Sequence, residues 1–480
     1  MLLALPMLFL FAEPPSTADV ESALKRFVDV LTIVQAQAAD PVNTEQSIYQ
    51  GAIPAMLRTL DPHSIFFDPG QNEELKAMER SERKGFGTVV SLLPGRVIVL
   101  QAAAGTPSAK AGLQPGDEIV AVNNVALSRL DMEQLTQFLG EARQSQVHLI
   151  VRRPSNVRLL DFIMDPALVD SPSVDRTYFL AAGIGYVRVT GFDPQTAKLL
   201  KDAIENLGGN HLKGLVLDFR DNPGGVVESA LQAASYFLKP GQKILTVKGR
   251  SIEDQEVKVP DTATPYSFGV AILVNEKTAS AAEIVSGALQ DHDRATIVGL
   301  PTYGKGLVQN VFPLTGNTAL ALTTAFYYTP SGRSIQKPLA SGSLEIAKQS
   351  GQFRTDAGRV VVGGGGIRPD VPANPPAPTQ LEGVLEASGT LTAFATEYTQ
   401  KHKISDEFET TPQVLEDLQV YAAERNIQPS VADWLREREW LQSVIKQEVF
   451  NQALGVAKGD EVEAQRDPVV KAALERLRGN

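Results

Sequence analysis

Ser280 and Lys305 stand 25 residues apart in the stretch 274–309, VNEKTASAAEIVSGALQDHDRATIVGLPTYGKGLVQ. An apolar strand runs into Thr278-Ala279-Ser280 and helical sequence begins at once. Ser280 is therefore expected at a strand-to-helix turn, with its hydroxyl exposed. The start of the following helix favours negative charge, and a tetrahedral oxyanion is such a charge. Lys305 lies between Gly304 and Gly306, which permit close backbone approach and unusual dihedrals; this suits a lysine held inside a site. Each feature taken singly also has a plainer reading. Ser280-Ala281-Ala282-Glu283 is an S-x-x-E capping box, and Gly304-Lys305-Gly306 fits a surface turn.

A competing base is His292, flanked by Asp291 and Asp293. A helix between it and Ser280 would hold it about 15–18 Å away at about 1.5 Å per residue, beyond hydrogen-bond reach. It is expected instead at the helix C-terminus, where the dipole favours a cation. No histidine pair has metal-ligand spacing, so a metalloprotease is not expected; the reading calls for no metal and no cofactor.

The elements that must position these residues alternate. Strands are expected at 185–189, 215–219, 270–274, 295–298 and 319–326, with helices at 194–207, 226–238 and 281–290. This is an α/β pattern, a mixed sheet covered by helices, whose sites sit at the carboxyl ends of strands. Residues 85–153 differ: short β-branched runs are broken by glycine and proline turns, with helices at 108–113 and 128–142. Val20, Leu24, Phe27, Val28 and Leu31 recur at helical spacing, the signature of one buried face. A second helical stretch, 48–60, ends in the turn Asp61-Pro62-His63-Ser64.

The 480 residues call for several modules. The expected order is a signal peptide at 1–12, an N-terminal helical region at 13–80, a β-rich module at 81–155, and a core at 156–371. A Pro-rich linker at 372–380 and a helical region at 381–480 complete it. The net charge of −11 argues against nucleic acid as the main partner. With no cysteine, disulfides, thiolate metal sites and thiol nucleophiles are excluded. Residues 1–12 (MLLALPMLFLFA) are too short to span a bilayer and suit a signal-peptide h-region, although no basic n-region precedes them. The expectation is export, periplasmic or secreted, with tethering by an uncleaved N-terminus as the alternative.

Taken together, the motifs in 274–309 resemble the active-site block of the C-terminal processing peptidases, or tail-specific proteases. The resemblance implies Ser280 as nucleophile, Lys305 as general base within Thr302-Tyr303-Gly304-Lys305-Gly306, and Gln309 as the residue that orients it. A lysine serves as base if burial lowers its pKa to about 7–8. Residues 215–225 (LVLDFRDNPGG) resemble the family's strand ending in R-x-N-P-G-G, which implies an oxyanion hole from the amide of Gly224 or Gly225 with that of Ala281. The segments LDPHS (60–64), YYTPSGRSI (327–335) and GGGGIRPD (363–370) also look like the family and are read as framework. The implied core is crotonase/Clp-protease-like, with an inserted PDZ domain. Lys277 stands where the family often has glycine, with no consequence for the dyad.

The β-rich module resembles that PDZ domain. Gly85-Phe86-Gly87-Thr88 matches the carboxylate-binding loop and AGLQPGDEI (111–119) the segment that follows. By this resemblance Phe86, Val89 and Leu135 would line the pocket for a peptide's last residue. The implied function is a serine endopeptidase that takes protein or peptide substrates by exposed C-termini. The alternatives are a catalytically silent PDZ scaffold of the same fold and, by fold analogy, a crotonase-like acyl-CoA enzyme. Amphipathic helices at both ends, with Trp434, Leu435, Trp440 and Leu441 close in sequence, suggest a homo-oligomer or adaptor contact, or else a cap on the core.

Overall fold

The computed structural model describes residues 17–79, 82–250, 252–338 and 351–479; the apolar run at 1–12 lies outside them. The chain divides into two units, one of residues 1–79, 189–210 and 217–372, the other of 80–188, 211–216 and 373–480.

In the first unit Gly269–Val274 pairs in parallel with Ala295–Gly299, which pairs in parallel with Val371–Pro372. Gly269–Val274 is an apolar run buried along nearly its whole length, as expected of a strand covered on both faces. Beside it the chain leaving Asp218 continues the ladder, with Phe219 N–H donating to the Leu273 carbonyl at 2.9 Å. The helix Ala281–Asp291 follows and is buried on every side. Its small residues permit close packing, and its polar ones must find partners.

An antiparallel sheet completes this unit. Leu307–Pro313 and Ile65–Phe67 both pair with Ala319–Tyr328, which also pairs with Lys243–Gly249; Ile252–Lys258 pairs with the last. Hairpin pairing of Leu307–Pro313 with Ala319–Tyr328 places Gln309 opposite Thr323. The stretch holding Gln309 is thus a strand, which the glycine-rich approach to it concealed.

The N-terminal helix forms over Thr17–Gln37, but its apolar face is not buried. Val20, Leu24, Phe27 and Val28 are 42–60% exposed. Spacing of apolar residues establishes that a helix is amphipathic; it does not specify what covers the apolar side. The second helical stretch is interrupted, with a π-turn at Ser47–Ala52 leading into Ile53–Arg58.

In the second unit, strands Thr88–Leu93, Arg96–Ala102, Glu118–Val122, Val147–Arg152 and Leu160–Met164 lie in that order, with Val125–Ala126 beside Glu118–Val122. The helix Met132–Ala142 starts at a full capping box, Asp131 with Gln134. Val97, Val99, Leu127, Leu135 and Leu149 form the core. The C-terminal residues make a helical bundle, from Gln380–Ala387 to Pro468–Arg478, around Leu385, Leu418, Leu441 and Ile445. Arg96 Nη1 donates to the Ser388 carbonyl at 3.4 Å, and a Cβ at Gly116 would fall 2.4 Å from Thr396, so bundle and β-module are in contact. Trp434 and Leu441 are core residues of the bundle, Trp440 packs against that core, and Leu435 is 61% exposed. Three of these four residues are therefore spent on internal packing.

Candidate active site

Ser280 closes the turn between Gly269–Val274 and Ala281–Asp291 with φ 54° and ψ −117°. A side chain rarely adopts this conformation, and it costs on the order of 1–3 kcal/mol unless the surroundings impose it. Here they do. Thr278 Oγ1 donates to the Phe219 carbonyl at 2.7 Å, Ala279 N–H to the Asn222 carbonyl at 2.9 Å, and Tyr303 N–H to the Thr278 carbonyl at 2.9 Å.

Glu283 ties the turn to the lysine loop. Its Oε2 accepts from the backbone N–H of both Ser280, at 2.8 Å, and Lys305, at 2.9 Å. Its Oε1 accepts from Gly304 N–H at 2.8 Å and from Thr302 Oγ1 at 2.5 Å. The side chain is completely buried; burial pushes its carboxyl above the usual range, while these four hydrogen bonds hold it down. The capping reading described only its bond to Ser280. The same oxygen also fixes the loop 22 residues on.

Tyr327 makes a second clamp. Its hydroxyl lies 2.8 Å from the Lys305 carbonyl and 3.2 Å from that of Ser280. Gly304 has φ +85°, and a Cβ there would meet Lys337 at 2.7 Å; only glycine permits the loop to turn this tightly. The half-buried Lys305 directs Nζ to Gln309 Oε1 at 2.6 Å. Burial lowers the affinity of its amine for a proton, against the opposing charges of Asp61 and Glu283. The nearest partner is thus a neutral amide, with two carboxylates acting from farther away.

Gly224, at φ +93°, abuts the nucleophile turn, while the next residue, Gly225 at φ +137°, packs against the Phe192 backbone, whose carbonyl oxygen a Cβ there would meet at 2.0 Å. A Cβ on Gly224 would fall 2.7 Å from Ser280 Cβ and 2.8 Å from Ala281 N. The two glycine amides differ: Gly224 N–H donates to Asn222 Oδ1 at 2.9 Å and is engaged within its own loop. Ala281 is the first residue of its helix, where no intrahelical acceptor exists for its N–H. His292 sits at the other end of that helix, between the Lys243 carbonyl at 2.7 Å and Asp356 Oδ2 at 2.7 Å, away from Ser280.

In the β-module, Gly85 ends the strand Glu82–Gly85, and Phe86-Gly87 leads into Thr88–Leu93. That strand is the edge of its sheet, so one side of its backbone is open to pairing. Val89 is 40% exposed, Thr88 is half-buried, and Phe86 packs partly against the core. Leu135 departs from the expectation: it is fully buried among core residues rather than lining an open groove.

Glu283, Tyr327, Asp61 and His63 are the site residues that sequence reasoning left as cap or framework. Two of them had a signal. Glu283 is a lone charge in an otherwise small and apolar turn of helix. Tyr327 falls on the inward alternation of its strand with Ala319, Ala321 and Ala325, where a hydroxyl must find a partner.

Comparison with known proteins identifies the domains. Residues 183–347 match peptidase family S41, and residues 98–153 match a PDZ domain. Over 320 residues the chain is 34% identical to a carboxy-terminal-processing protease of Bartonella bacilliformis, covering 65% of this chain and 72% of that one. Over 310 residues it is 34% identical to carboxyl-terminal-processing peptidase 2, chloroplastic, of Arabidopsis thaliana, covering 62% of this chain and 60% of the relative. Among solved structures, a photosystem II D1 C-terminal processing protease aligns at 26% identity with a TM-score of 0.40, over 76% of this chain and 94% of that one. Fold and sequence together define a serine-type peptidase with an S41 core and a PDZ domain. The chain belongs to the family of carboxyl-terminal processing peptidases.

Proposed function

We propose that the protein is an endopeptidase in which Ser280 is the nucleophile and Lys305 the general base, and that its PDZ domain takes substrates by their carboxyl-terminal tails. The observation that carries this reading is the shared acceptor: one Glu283 oxygen holds the backbone of both Ser280 and Lys305. Neutral Lys305 takes the proton of Ser280 Oγ as that oxygen attacks a peptide carbonyl. The N–H groups of Ala281 and Gly225 receive the developing oxyanion; Gly224 is the weaker candidate because Asn222 occupies its N–H. Collapse passes the proton from Lys305 to the leaving amine and leaves an acyl-enzyme. Water then attacks, giving its proton to Lys305, and release of the acid returns that proton to Ser280. Gln309 orients the amine throughout.

The edge strand Thr88–Leu93 and the loop at Gly85, Phe86, Gly87 and Thr88 support tail capture, because an extended peptide can add to that edge with its carboxylate at the loop. Export is supported by the apolar run at 1–12, while no helix among the described residues is long and apolar enough to cross a membrane. Contact with a second copy or an adaptor is supported by the exposed apolar side chains of Thr17–Gln37; sedimentation of the full chain tests it.

The deciding experiment compares cleavage of an unfolded protein bearing an apolar tail by the parent, Ser280→Ala and Lys305→Ala. Activity lost in both variants supports the dyad. Equal cleavage by all three sinks it. A parent without activity that is also unlabelled by a covalent serine probe would favour the silent scaffold.

A further inference from the structure

The hydrogen-bond chain that reaches Lys305 does not begin at Gln309. Gln309 Nε2 donates to the His63 carbonyl at 2.6 Å, while its Oε1 accepts from Lys305 Nζ at 2.6 Å. With its nitrogen pinned, the carboxamide can present only its oxygen to the amine. The orientation of Gln309 is therefore decided from the His63 side.

The His63 carbonyl is itself held by a closed turn. Asp61 is buried, and its Oδ1 accepts from the N–H of His63 at 2.7 Å and of Ser64 at 2.8 Å. Its Oδ2 accepts from Ser64 Oγ at 2.7 Å. Ser64 Oγ in turn accepts from Thr323 N–H at 3.2 Å, and Thr323 is the strand residue paired with Gln309. One strand thus sets the register of both the turn and the carboxamide. The charged and titratable groups bearing on the Lys305 amine are Asp61, Glu283 and His63.

We propose that the turn at 61–64 is a positioning element of the active site, in which Asp61 fixes the His63 carbonyl that orients Gln309 and thereby Lys305. The proposal rests on the Ser280–Lys305 reading. Asp61 touches no reacting atom; it acts through the backbone of His63 and the side chain of Gln309. A segment 246 residues away in sequence from Gln309 is then required to complete the site.

A double-mutant cycle on the full chain tests this, with fluorescein-labelled casein as substrate. Asp61→Ala and Gln309→Ala are each expected to lower kcat about 10- to 100-fold with KM little changed, as loss of orientation does. The double variant should be no worse than Gln309→Ala alone, because the two losses are one loss. Losses that multiply would overturn the proposal. Should Asp61→Ala not fold, Asp61→Asn keeps an acceptor for the N–H groups of His63 and Ser64 and so should retain kcat within a few-fold of the parent. A loss with Asp61→Asn as deep as that of Gln309→Ala would overturn the proposal, because the turn would then act by its charge and not by its geometry. Ser280→Ala and Lys305→Ala separate the two ideas. If either still cleaves, the dyad fails and this proposal with it; if both are inactive while the cycle multiplies, only the Asp61 assignment fails.

Discussion

Tyr327 donates its hydroxyl to the Lys305 carbonyl at 2.8 Å from a side chain that is almost wholly enclosed. The same hydroxyl lies 3.2 Å from the Ser280 carbonyl, the longer branch of a bond shared by its single hydrogen, so one phenol links the backbone of both proposed dyad residues. Burial raises its proton affinity well above that of an ordinary phenol, so it remains a donor throughout the working pH range. Tyr327→Phe should lower kcat about 10-fold and reduce stability by about 1–3 kcal/mol, because a buried carbonyl loses its partner. Steady-state kinetics and thermal melting check this. Unchanged kcat with a lowered melting temperature would mean that the hydroxyl serves packing alone.

The pH profile should report Lys305. The base must be neutral, so kcat/KM is expected to rise with pH through the pKa of the Lys305 amine. Burial places that value below the lysine norm, although Asp61 and Glu283 pull it back upward. Lys305→Arg, which cannot deprotonate, should be inactive at every pH. An acid limb in the parent at the ordinary lysine value of about 10.4 would contradict the role given to burial.

Substitution of Gly87 separates capture from chemistry. The residue has φ +71°, and a Cβ would lie 2.3 Å from Thr106 Cγ2. Gly87→Ala should displace the loop at 85–88 and raise KM for a tailed substrate about 10-fold with kcat nearly constant, the mark of lost uniform binding. A short peptide without a tail should be cleaved as by the parent. An equal loss on both substrates would count against tail capture by this loop.

Stability should depend on Glu448 in the C-terminal bundle. Burial pushes its carboxyl up to about 7; Thr392 and Arg466 oppose the shift, while Glu463 and Glu386 add to it. The folded state therefore keeps a proton that the unfolded chain, with its ordinary value of 4.5, has released. This contribution is fully present below about 4.5 and is lost as pH rises toward about 7, a difference on the order of 3 kcal/mol. Glu448→Gln mimics the protonated acid and should abolish that part of the pH dependence. Denaturant melts at pH 5 and pH 8 would show it, and a variant with the parent's full slope would refute the assignment.

What the sequence determined by itself was local. The strand-to-helix turn at Ser280, the glycine-flanked Lys305 and the helical C-terminal region follow from turn chemistry, capping and periodicity, and the loop at 85–88 was legible through its resemblance to a PDZ domain. Those signals act within a few residues and survive without knowledge of the rest of the chain. Tertiary structure decided the convergence. Glu283 read as a cap because its bond to Ser280 spans three residues, whereas its bonds to Gly304 and Lys305 exist only once the lysine loop folds back over the helix. The exposed face of Thr17–Gln37 and the buried Leu135 have the same cause, since periodicity names a face and packing alone decides what meets it. Gln309 and His63 show the limit most plainly: the bond between them spans 246 residues, and only the shared strand Ala319–Tyr328 brings both to one amine.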